Sequence, residues 1–238
     1  MNHLGLKSVQ KFYDGVGALR DVGQNHLLQM LAFVAMENPG GLNAGDIRER
    51  REDVLRAIVP FDEASISQQT LRAQYEGYLE AKDVSPDSKT ETYFLLKVFL
   101  DNARWRGVPF FMESGKRLVG SRTEITIYFK DVVPCLCPSD NHVRHQNVLR
   151  FRIQPDESIE LLFWVKQPGF HFALKPARLN FSYADSPETS MIPDAYERIL
   201  FDCIQGDQTL FVSTKEVELA WKFITQISEG WQSTPLHE

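Results

Sequence analysis

Apolar and polar positions along this chain change their period partway through. From residue 20 to 35, Leu27, Leu28, Leu31, Val34 and Ala35 recur at three-to-four spacing, which predicts an amphipathic helix. Asp21 stands where an N-cap is expected, with Gln24 three residues on as its capping-box partner, and Asn38-Pro39-Gly40-Gly41 predicts the end of the helix. A second helix is predicted from Ala44 to Ile58, with Ile47, Val54, Leu55 and Ile58 inward and the run from Arg48 to Asp53 read as a solvated face. Ser67 to Tyr75 reads as the approach to a strand, and Gly77 to Lys89 as a loop. Beyond Thr90 the period shortens. Tyr93 to Leu100, Glu124 to Phe129, Val148 to Ile153, Ile159 to Val165 and Leu179 to Tyr183 read as strands. Two helices close the chain, from Pro193 to Ile204 and from Thr214 to Ile227, and residues 228–238 read as a frayed tail.

Helices, then a run of antiparallel-type strands, then helices again define an α+β chain: a large, mostly antiparallel sheet with helices packed on one face. No Gly-x-Gly-x-x-Gly follows a strand and no βαβ unit is visible, so the pattern carries no dinucleotide-binding Rossmann domain.

Composition narrows the possible functions. At 238 residues the chain can bury a sizeable core, and 43% hydrophobic with 24% charged residues is ordinary for a globular protein. A formal charge of −6 argues against nucleic-acid binding through a basic surface, although a few cations can still hold one phosphate. Three cysteines do not make a disulfide framework, and Cys135 and Cys137 lack the second pair that a zinc site needs. No apolar run is long enough to span a bilayer and no signal core opens the chain, so a soluble, cytoplasmic protein without metal is expected.

The candidate chemistry lies in Arg20-Asp21-Val22-Gly23-Gln24-Asn25-His26-Leu27-Leu28-Gln29. A neutral imidazole near the positive end of a helix suits a base working near neutral pH, and a carboxylate beside it can accept bonds from two hydroxyls. On spacing alone the pair reads rather as a helix-capping Asp and an ordinary surface or half-buried His.

This run resembles one in the glucose-6-phosphate dehydrogenase family. Similar blocks follow in order: Ser85-Pro86-Asp87-Ser88 with Thr90-Glu91-Thr92-Tyr93, Trp105 to Phe110, Gly115-Lys116-Arg117-Leu118, Arg152-Ile153-Gln154-Pro155, Pro193 to Arg198, and Gly206 to Phe211. The resemblance implies that His26 is the general base for the sugar hydroxyl and that Asp21 hydrogen-bonds sugar hydroxyls. It implies that Lys116 binds substrate and that Gln154 contacts sugar; by itself Gln154 reads equally as a polar edge residue. At the family's second cation this chain has Ser121, with Arg122 beside it as a substitute. Asn2-His3-Leu4-Gly5-Leu6-Lys7 resembles an altered remnant of a phosphate-binding signature, with His3 and Lys7 retained and Asn2 in place of its acid.

The implied cofactor is NADP, whose binding domain precedes this region in the family; the implied ligand is glucose 6-phosphate. The division expected is a remnant or linker over 1–19, a family C-terminal-like domain over 20–227 and a tail over 228–238. Such a chain is expected to be inactive as a dehydrogenase alone and to oligomerise through its sheet face. The alternative is a non-catalytic sugar-phosphate-binding or oligomerisation subunit that pairs with a full-length dehydrogenase.

Overall fold

A computed structural model describes residues 13–131, 145–185 and 193–237. His3 and Lys7, together with Asn2, Cys135 and Cys137, lie outside the described residues. The chain divides into two compact units, Met1–Leu118 with Ile199–Glu238, and Val119–Arg198.

The first unit opens with a helical run whose first nine residues, Leu19–Leu27, are π-helical and whose remainder, α1 (Leu28–Ala35), is α-helical. Asp21 is therefore not an N-cap. The residue before the segment is Ala18, in helical backbone and with no side-chain cap. Helices α2 (Ala44–Arg56) and α3 (Glu63–Gln69) follow, each capped: Asn43 Oδ1 accepts the Asp46 N–H, and Asp62 with Ser65 forms a reciprocal capping box. Strands β1 (Thr70–Ala73), β2 (Tyr93–Val98) and β3 (Phe110–Gly115) make an antiparallel sheet with β2 central. The start of the predicted 67–75 strand is helical because that capping box commits residues 63–69 first.

The period-two alternation of β2 sets the core. Phe94, Leu96 and Val98 are buried while Tyr93, Leu95 and Lys97 are not, and Leu96 lies opposite the buried Met112. Against them pack Leu19, Leu28, Leu31 and Ala32, then Val54 and Leu55 of α2 with Ile58 just beyond it, and Ala220, Phe223, Ile224 and Ile227 of α5 (Thr214–Gly230). Helix α5 starts at the predicted Thr214 and is capped by Ser213, whose hydroxyl accepts the Glu216 N–H while the Glu216 carboxylate accepts the Ser213 N–H.

Two sequence expectations fail here. The charged run of α2 is not wholly solvated: Arg51 is fully buried, its Nε 2.8 Å from Glu216 Oε1 and its Nη2 bonding the Phe211 carbonyl at 3.0 Å. The guanidinium also lies 4.7 Å over the Phe33 ring. The residues after 227 do not fray either. Trp231 is buried, its indole N–H bonds Thr70 Oγ1 at 2.8 Å, and Arg72 bonds the carbonyls of Trp231 and Thr234. The Gln74 N–H reaches the His237 carbonyl at 2.8 Å.

The second unit holds β4 (Thr123–Tyr128), β5 (Val148–Gln154), β6 (Ser158–Lys166) and β7 (Leu174–Ser182), antiparallel in that order. Their register puts Ile125, Phe151, Ile159 and Phe181 in one row and Ile127, Leu149, Leu161 and Leu179 in the next, so one face is apolar. The other face carries a ladder of Glu124, Arg150, Glu160 and Arg178, with Arg150 Nη1 2.9 Å from Glu160 Oε1. The fold is α+β and antiparallel as expected, but among the described residues the strands form two sheets rather than one. Helix α4 (Ala195–Gln205) falls on the predicted 193–204 helix.

Candidate functional site

The π-helical segment explains how Asp21 and His26 come together. In an α-helix, five residues at 100° each would leave them about 140° apart around the axis. A π turn closes instead with an i→i+5 bond. Here the Leu28 N–H bonds the Gly23 carbonyl, five residues back. The wider turn leaves residues five apart closer in angle than an α-helix would, which turns Asp21 and His26 toward the same side of the segment. Nothing in the apolar spacing announces this register. The segment lies close on the sheet at Gly23, where a Cβ would be 3.1 Å from the Phe94 ring and 3.2 Å from Leu19 Cδ1.

Lys116 completes the cluster. It follows β3 in a tight turn where Arg117 takes a left-handed φ of 58°, and its N–H bonds the Thr92 carbonyl at 2.8 Å. The ammonium lies 3.5 Å from Asp21 Oδ2 and 4.8 Å over the Tyr13 ring. Both partners of the ion pair are part-exposed, and His26 is exposed, so hydroxyls and an anion can reach all three. Tyr13 forms the floor. It is buried, its hydroxyl has no hydrogen-bond partner among the described residues, and burial reinforced by the Glu91 and Asp21 carboxylates pushes its phenol well up. The ring is therefore a neutral surface under the ammonium.

The structure thus pairs Asp21 with Lys116 in the first unit, with His26 five residues after Asp21 on the same π-helical segment. Arg122 and Gln154 belong to the second. Gln154 ends β5 opposite Thr123 and lines a shallow hollow with Ser121, Pro155, Asp156 and Glu157. Arg122 extends toward Glu124, 3.6 Å away. Sequence reasoning gave no part to Tyr13 or Glu91. The available signal is an acid, Glu91, two residues before a strand whose alternate residues are core.

Among the described residues no group of three or more His, Cys, Asp or Glu side chains could hold a metal, and no helix is long and apolar enough to cross a membrane. Nor do the described residues contain the parallel strand–glycine-rich turn–helix unit of a Rossmann-type dinucleotide site.

An antiparallel α+β fold with an accessible carboxylate–ammonium pair, and an exposed imidazole on the same helical segment, is a domain suited to a polar ligand. The family model for the glucose-6-phosphate dehydrogenase C-terminal domain matches residues 1–238, and the chain belongs to that family, which is NADP-dependent in general. Over 234 residues the chain is 42% identical to a glucose-6-phosphate 1-dehydrogenase of Aggregatibacter actinomycetemcomitans, covering 94% of this chain and 47% of that protein. The Bacillus subtilis enzyme is 37% identical over 238 residues, covering 96% and 48%. The crystal structure of the Mycobacterium avium enzyme superposes with a TM-score of 0.81 at 34% identity, covering 96% of this chain and 47% of that one. A glucose-6-phosphate dehydrogenase in complex with its substrate glucose-6-phosphate gives 0.83 at 32% identity, covering 96% and 48%. The chain spans about half the length of the curated relatives it matches.

Proposed function

We propose that this chain is the glucose 6-phosphate-binding side of a glucose-6-phosphate dehydrogenase of the cytoplasm, with the cluster on the π-helical segment as its site. The observation that carries the reading is the Asp21–Lys116 pair, 3.5 Å apart, on the face that the π register gives to His26. Asp21 can accept bonds from two adjacent sugar hydroxyls, and Lys116 offers charge to the phosphate or a donor to a hydroxyl. His26, exposed and adjoining, accepts the proton of the C1 hydroxyl as general base. Arg122 and Gln154 are proposed as further substrate contacts, and His3 and Lys7 as phosphate ligands. NADP, the family's hydride acceptor, finds no fitting fold among the described residues, and no step through it is derived.

Binding tests the reading directly. Calorimetric titration of the 238-residue chain with glucose 6-phosphate is expected to give saturable binding that Lys116→Met and Asp21→Ala each weaken about tenfold or more. The same chain with glucose 6-phosphate and NADP is expected to form no NADPH. Binding that survives both substitutions unchanged would overturn the assignment of the cluster.

A second reading concerns assembly. No side chain of β4 to β7 is buried, and the apolar row ends on Leu179 and Phe181, 62% and 49% exposed. We infer that this sheet face pairs with a second copy or with a full-length relative, which makes the chain an oligomerisation module as well.

A further inference from the structure

We propose that Glu91 is a positioning residue for this site: by accepting the Leu19 N–H, its side chain holds the π register that puts Asp21 and His26 on one face. The inference rests on the reading of that face as a glucose 6-phosphate site.

The first N–H groups of a helix have no partner within it, and whatever accepts them fixes where and how the helix starts. Here one residue takes two in succession. The Glu91 carbonyl accepts the Ala18 N–H at 3.0 Å, and Glu91 Oε1 accepts the Leu19 N–H at 3.0 Å. Leu19 is the first residue of the π-helical segment. The carboxylate therefore sits at the point where the register is chosen. Room for it comes from Gly17, whose φ of 78° and missing side chain both matter, since a Cβ there would run into the Glu91 carboxylate.

The anchor is itself rigid. Glu91 is 9% exposed and Thr92 fully buried. The Thr92 N–H bonds the Ala73 carbonyl at 2.9 Å, its hydroxyl accepts the Tyr75 N–H at 2.8 Å, and the Gln74 amide bonds the carbonyls of Ser88 and Thr90. The same dipeptide reaches the other half of the site, since the Thr92 carbonyl holds the Lys116 N–H. Glu91 and Thr92 thus tie the two backbones that carry Asp21 and Lys116 to one fixed point. Burial of a carboxylate without a contacting cation is costly unless such bonds return the loss, which is the pattern of a side chain kept for position.

The test compares Glu91→Ala with Glu91→Gln in the full chain. Two readouts are used: proton NMR contacts between Asp21 and His26 and between Gly23 and Leu28, and calorimetric affinity for glucose 6-phosphate. Glu91→Ala is expected to lose the five-residue contacts while those of residues 28–35 persist, and to weaken binding about tenfold or more. Glu91→Gln keeps an acceptor oxygen and is expected to restore the contacts and bind within about threefold of the parent. Five-residue contacts that survive Glu91→Ala, or a Glu91→Gln variant as impaired as Glu91→Ala, would overturn the proposal. A parent chain that binds no glucose 6-phosphate would sink the reading of the site, while the NMR contacts would still decide the role of Glu91.

Discussion

Asp14 and Glu91 are two carboxylates of the first unit with opposite acid–base behaviour. Asp14 accepts bonds from the Tyr78 hydroxyl at 2.8 Å, from the Ser85 N–H at 3.2 Å and from the Ser88 hydroxyl. Burial alone would push its carboxyl up, but those bonds outweigh it and hold the carboxyl below its ordinary 3.8. Its contribution to stability is therefore complete above that ordinary value and is lost as pH falls through the folded one. Burial raises the Glu91 carboxyl above its ordinary 4.5, so between the two values the folded state holds more protons and stability falls as pH rises. Asp14→Asn is expected to flatten the loss of stability below about pH 4, and Glu91→Gln to flatten the loss above it, read as urea midpoints across pH. Arg51 offers a second residue-scale test. Removing it leaves the Glu216 carboxylate buried, so Arg51→Met should cost about 3–5 kcal/mol, and adding Glu216→Gln should recover part of that in urea unfolding. None of these partnerships is legible along the chain. Glu91 and Leu19 are 72 residues apart, Arg51 and Glu216 are 165 apart, and a charge in a helix carries no local mark of a distant partner.

At the scale of elements, the chain announces those built by one dominant periodicity. Strands β4 and β5 alternate plainly and β2 and β6 are runs of β-forming apolar residues, and their predicted and observed ranges agree within two residues. Strand β3 was not foreseen because Phe110-Phe111-Met112 gives no alternation, and its place comes from pairing with β2. The π segment was read as an ordinary helix because its register is chosen by Glu91 and Phe94, not by its own residues. Gly23→Val tests that reading. The branched side chain would meet Phe94 and Leu19, and is expected to cost about 1–3 kcal/mol in urea unfolding and to abolish glucose 6-phosphate binding in calorimetry. The C-terminal turn was misread for a related reason: the Trp231-Gln232-Ser233 sequence is polar and short, yet its indole fills the core. Trp231→Ala is expected to cost about 3–5 kcal/mol, read from chemical unfolding, where a frayed tail would cost nothing.

At the scale of the whole molecule, the two units differ in how they are stabilised, and that difference predicts assembly. Among the described residues the buried hydrophobic side chains lie in the unit of residues 1–118 and 199–238, around β2, α1, α2 and α5. The 119–198 unit has an antiparallel sheet with a consistent apolar face and an ion-paired opposite face, yet none of its strand residues is buried. A four-stranded sheet whose apolar side meets water gains little from its hydrophobic pattern, and long exposed apolar faces are where proteins pair. A second copy is the simplest occupant, because a self-complementary surface needs only one sequence. Charge belongs at the position where that pairing would be dry. Leu179→Arg with Phe181→Glu is therefore expected to shift the chain from dimer to monomer in light scattering. Both residues already tolerate solvent in the single chain, so the circular dichroism of the monomer should match the parent. A parent that is monomeric at every concentration would remove this sheet as an assembly surface. A double variant that remains dimeric would place the contact elsewhere on the molecule, with the ion-paired face of Arg150 and Glu160 as the next surface to substitute.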